Sequence, residues 1–181
     1  MKRMVLTVFG VLAISSSAFA QAPADLETAL LAAPAPLKEA ATVIKWKPDY
    51  TYDTLRKGSN RLVCFDKSNM PGQQPFSIEC TSVANLDRVA QNLKFESEPD
   101  RMKRQAALDA AEANGTRAKP EFGSVWYHVM GKDRASARNH MTIAVPGATT
   151  ASTGLPDNPK MGGVWIMNAG TSTAHLMTPG E

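Results

Sequence analysis

The chain opens on an unbroken apolar run, Met4 to Ile14, and only later settles into alternating and helical patterns. Thr42 to Lys47 (T-V-I-K-W-K) alternates and predicts a strand. Asp53 to Phe65 predicts a hairpin, with Lys57-Gly58-Ser59-Asn60 as its turn and Arg61 to Phe65 as the return strand. Phe76 to Thr81 predicts another short strand. The period then becomes helical. Ser82 caps an amphipathic helix whose apolar face is Val83, Leu86, Val89, Ala90 and Leu93, and Glu98-Pro99 breaks it. A second, Ala-rich helix runs from Asp100 to Ala113 and stops at Asn114-Gly115. Its charges, Arg101, Lys103, Arg104, Asp109 and Glu112, read as a solvated face. The last third returns to short apolar runs: Val125 to Met130, Met141 to Val145, Val164 to Met167 and Ala174 to Met177. A long loop, Pro146 to Met161, separates the second of these from the third, and loops of that length are usually functional or mobile.

Residues 21–41 form an Ala/Pro-rich lead-in in which Asp25 caps a short helix, Leu26 to Ala33, ended by Pro34. The order of elements predicts an α+β fold. Its sheet is mainly antiparallel, with two helices in the middle of the chain and one short N-terminal helix. Residues 42–181 read as a single α+β domain.

The leading run changes the meaning of the composition. Lys2 and Arg3 precede it, and Ala18-Phe19-Ala20 follows three serines, so residues 1–20 read as a signal peptide and Gln21 as the mature N-terminus. Eleven apolar residues are too few for the ~20 a bilayer span needs. The expected location is periplasmic or secreted, with no membrane insertion after signal cleavage. At 43% hydrophobic and 20% charged, the 181 residues exclude wholesale disorder and collagen-like composition. The net charge of +3 includes Lys2 and Arg3, so 18 basic residues face 17 acidic ones afterwards. A balance near zero gives no electrostatic reason to expect a nucleic-acid partner.

Export also decides how Cys64 and Cys80 read. An oxidising compartment favours a disulfide over two free thiols, and no C-x-x-C or zinc-type spacing competes with it. The bond would close a turn-rich segment of 15 residues containing Pro71-Gly72 and Pro75.

Leu55-Arg56-Lys57-Gly58-Ser59-Asn60 leads to Cys64, and Cys80 follows a Pro-Gly loop. Near the end stand Gly162-Gly163-Val164-Trp165-Ile166-Met167, Ala169-Gly170-Thr171 and Ala174-His175-Leu176-Met177 before Pro179. Over residues 25–181 this resembles small exported bacterial proteins of unknown function. Those proteins carry an L-R-K-G-[ST]-N segment, two cysteines and a closing G-G-x-W-x-M…G-T-x-x-A-H-[LI]-M-x-P. The resemblance implies a bacterial, exported domain and no particular chemistry.

Common catalytic signatures (H-E-x-x-H, G-x-S-x-G, the P-loop, G-x-G-x-x-G) are missing from the sequence. What stands out is histidine beside methionine: His128 with Met130, His140 with Met141, His175 with Met177. On a strand the i, i+2 pairs share a face. Imidazole suits copper and zinc and a thioether selects Cu(I), so these six residues are candidate ligands for copper or zinc. Methionine at strand spacing also reads as core filler. A hydrolase is a second candidate, with His140 or His175 as general base, Ser124, Ser152 or Thr171 as hydroxyl, and Asp133 or Asp157 as orienting acid. The leading expectation is a non-catalytic envelope module that meets an envelope partner or a small ligand. Its contacts would come from the loop at 146–163 and from Trp46, Trp126, Tyr127 or Trp165. Arg134 and Arg138 could pair a carboxylate ligand, and the hydroxyl-rich turn around Thr171 reads either as an anion cradle or as a hairpin turn.

Overall fold

The computed structural model describes residues 18–178, with side chains from Ala24 onward. Most of the expected leader therefore lies outside the described residues, as do the last three positions. Ala18 to Ala20 form the start of the first helix.

The Ala-rich N-terminal run forms α1 (Ala18–Ala29), continues as a 3-10 turn (Leu30–Ala32), and is followed by the one-turn α2 (Ala35–Lys38). Asp25 lies inside α1 instead of capping it, and its carboxylate takes a bond from Lys45 at 3.0 Å. Four strands follow: β1 (Thr42–Trp46), β2 (Tyr52–Arg56), β3 (Leu62–Asp66) and β4 (Phe76–Ser82). Next come α3 (Leu86–Glu96) and α4 (Arg101–Ala113), then β5 (Val125–Gly131) and β6 (Arg138–Ala144). The short α5 (Thr150–Thr153), β7 (Trp165–Met167) and β8 (His175–Met177) complete the chain. One eight-stranded sheet in the order β2-β1-β3-β4-β5-β6-β8-β7 holds them together.

Every neighbouring pair in the sheet is antiparallel except β1 and β3. The expected hairpin over 53–65 is therefore wrong. β2 folds back on β1 through the turn at 47–51, with Tyr50 at a φ of 65°, and β3 then crosses to the other side of β1 and runs parallel to it. The Lys57–Asn60 stretch has another task. The Arg56 guanidinium donates to the carbonyls of Lys38 and Ala41, and the backbone N–H groups of Ser59 and Asn60 both donate to the Ala40 carbonyl. Gly58 passes so close that a Cβ there would lie 2.3 Å from the Ala40 oxygen. The segment thus grips the chain just before β1. The helix count also differs from expectation: five α-helices are described, because the lead-in adds the one-turn α2 after Pro34 and the long loop folds α5 on a Thr149–Ser152 capping box closed by left-handed Gly154.

The two faces of the sheet are covered unequally. On one face Ala29, Leu30 and Ala32 pack against Val43, Leu62, Cys64, Ile78 and Cys80, so the lead-in contributes to the core. Cys64 and Cys80 are directly opposed across β3 and β4, with Cα atoms 4.1 Å apart, and are disulfide-bonded. On the other face Val89 and Leu93 of α3 cover Ile44, Val63 and Phe65, with Trp46 and Trp126 beside them. Ser82 caps the turn leading into α3 and Asp100 caps α4, as the pattern predicts, but Val83 faces solvent. Among the described residues no helix is long and apolar enough to cross a membrane.

Candidate functional site

Helix α3 covers β1 and β3 and shares its core with Trp126 of β5 and Ala144 of β6, while His128, His140 and, on β8, His175 line the floor of a groove on the same face. Strand periodicity sets which residues face it. Glu79 of β4 is paired with His128 of β5, and His128 with His140 of β6, so these three lie in one row across three strands. His175 of β8 is paired with Ala144, which points to the same face as His140. His128, His140 and His175 line one cleft of about 240 Å³, together with Lys67, Arg88 and Thr173. Arg88, Asn92 and Glu96 recur at four-residue spacing along α3 and form its wall. The cleft continues into a larger cavity of about 370 Å³ between α3, α4 and the loop before β8.

Beneath the histidines lies an ion pair. Glu79 is 2% exposed, and its Oε2 accepts from Lys67 Nζ. Burial pushes the Glu79 carboxyl up, but the Lys67 charge and the His128 contact outweigh it and hold the group down at about 2. For Lys67, burial acts to lower the ammonium, and the charges of Glu79 and Glu96 raise it above its usual value. His128 Nδ1 stands 3.3 Å from the same Oε2 without the alignment of a hydrogen bond. Glu79 Oε1 also has no partner. With Nδ1 facing the carboxylate, Nε2 is the ring nitrogen of His128 left for a further partner. His175 turns Nδ1 inward as well: it lies 2.7 Å from the Thr173 carbonyl, which can only accept. His140 lies 5.9 Å from His128 between ring centroids. Desolvation first, and then the neighbouring His128 and His175, push it below the ordinary histidine value.

The three histidines thus meet in one cleft, while their methionines divide. Met130 shares the His128 face and lines an adjoining cavity. Met141 is one residue from His140, so it points to the opposite face, where it is 43% exposed. Met177 is half-buried and paired with Trp165. Among the described residues no group of three His, Cys, Asp or Glu side chains is arranged to hold a metal ion. The hydrolase constellation is dispersed. Ser124 is buried against Asn85 and the Glu121 carbonyl, Ser152 caps α5, and Asp133 closes a turn onto Ser136. Asp157 is exposed. Thr171 lines the larger cavity, whereas Arg134 and Arg138 are exposed at the β5–β6 end and line none of these cavities. Of the aromatic contacts expected for a docking module, Trp46 and Trp126 are interior and Tyr127 and Trp165 half-buried.

Sequence reasoning missed Glu79, Lys67, Arg88 and Arg117. Glu79 sits in a strand whose neighbours are all buried, and a charge in such a run is the available signal. The α4 face read as solvated is partly interior to the groove, since Arg104, Asp109 and Glu112 line the larger cavity. A comparison with protein families, curated proteins and solved structures found no match.

Proposed function

We propose that the protein is an exported, non-catalytic binding module of the bacterial envelope that holds a small polar ligand in the histidine-lined cleft. The observation that carries this reading is the convergence of three imidazoles from separate strands on one concave site beside Arg88. Nδ1 of His128 and of His175 each faces an acceptor of the protein, so their Nε2 atoms are the ring nitrogens left to hydrogen-bond a ligand's polar groups. A thermal-shift panel of sugars, amines and amino acids tests it on the purified protein. The expected result is a stabilising compound whose effect is lost in His140→Gln and His175→Gln. A panel without a hit, or hits indifferent to both variants, would overturn it.

One arrangement favours a second reading, copper or zinc. A carboxylate behind the Nδ1 of one of two adjacent imidazoles is how proteins orient histidine toward a metal. Titration with Cu(I), Cu(II) and Zn(II) decides it. Stoichiometric binding lost in His128→Ala and His140→Ala supports the metal, and binding no tighter than micromolar removes it.

A further inference from the structure

The cavity next to the histidine cleft contains two buried guanidinium groups with no carboxylate on them. Arg88 is 3% exposed and Arg117 is 7% exposed, yet among the described residues neither lies within 4.0 Å of an acidic oxygen. Arg88 donates to the Ala118 carbonyl, Ser172 Oγ and Thr173 Oγ1. That accounts for three of its five N–H groups. Arg117 donates to Gln91 Oε1 and Asn92 Oδ1 and stacks on Phe95 at 5.0 Å. Desolvation, and then the charge of Arg117, lower Arg88 to about 10. Two like charges taken out of water side by side are costly unless something answers them. Glu112, whose oxygens accept from Ser172, and Glu96 line the same cavity and attract these guanidinium groups from a distance, without a direct contact on either.

We propose that this cavity is an oxyanion site, in which Arg88 and Arg117 take the carboxylate or phosphate group of a small molecule. Forked N–H donors match the paired oxygens of either group. The site does not depend on the histidine reading, although the two share Arg88 and Thr173.

Calorimetric titration at low salt with inorganic phosphate, and separately with succinate, tests the site and tells the two anion classes apart. Saturable binding of at least one probe is expected, weakened about tenfold in Arg117→Gln and severalfold in Gln105→Glu. Gln105 is an exposed lining residue, so its substitution adds an opposing charge without touching the core, and it decides the matter if Arg117→Gln fails to fold. His140→Gln is expected to change the affinity less than about twofold. Failure of both probes to saturate, or unaltered affinity in both variants, would overturn the proposal. Binding lost in His140→Gln but kept in Arg117→Gln would overturn it too, and would leave the histidine reading standing.

Discussion

His128 and His140 are directly opposed on β5 and β6, and Glu79 is paired with His128 on its other side, so one carboxylate and two imidazoles form a row across three strands. The row makes stability sensitive to pH. His140 is depressed, first by desolvation and then by its histidine neighbours. The unfolded chain therefore takes up that proton more readily than the folded one. Stability is full above the ordinary histidine value of 6.5 and declines as the pH drops below it. Thermal unfolding between about pH 7 and pH 5 should show this decline, and His140→Gln should flatten it. An identical slope in the variant would refute the assignment.

The Lys67–Glu79 pair predicts a mutational asymmetry. Glu79→Gln leaves the Lys67 ammonium buried without its counter-ion, a loss of roughly 3–5 kcal/mol. The double variant Lys67→Met/Glu79→Leu should lose much less than the two single changes added together. Acid adds a signature. With the carboxyl held at about 2, below its usual 4.5, the pair stabilises the fold above pH 4.5, and that contribution fades as the pH falls toward 2. Glu79→Gln should lack this limb in acid denaturation.

At Gly58 the argument is steric. Any Cβ meets the backbone of Ala40, Ala41 and Thr42 at 2.3–2.4 Å, and backbone cannot yield as a side chain can. Gly58→Ala should lose about 1–3 kcal/mol in denaturant unfolding, while the exposed Ser59→Ala should stay within about 0.5 kcal/mol. Equal effects would show that the grip on residues 40–42 contributes nothing.

Removing the cystine should be felt through the unfolded chain. Cys64→Ala/Cys80→Ala frees a loop with a sequence separation of 16, and about 3 kcal/mol should be lost on the chain-entropy account. Unfolding midpoints under oxidising conditions measure it, and a change below about 1 kcal/mol would contradict that account.

The sheet, its mainly antiparallel pairing and helices α3 and α4 were legible because period and caps are local signals: Ser82, Asp100 and the apolar stripe of Val89 and Leu93 state them directly. The β1–β3 crossover was not. Lys57-Gly58-Ser59-Asn60 has the composition of a turn, and what overrides that reading is a set of bonds to residues 38–42 that no local window contains. For the site, the histidines could be named from the sequence. Their company could not, because Glu79, Arg88 and Arg117 are placed by register and helix packing. Alternation would have separated Met141 from His140, since adjacent strand residues face opposite ways.

The cystine lies at the centre of the sheet with both cysteines fully buried, and the Ala29 carbonyl rests 3.8 Å from the Cys80 sulfur. An oxidant, reductant or thiol-exchange enzyme meets these sulfurs only while the N-terminal segment stands away from them. With the segment seated, formation, reduction or exchange of the bond waits on its opening, so the lead-in sets the rate at which the cystine answers a change of redox medium.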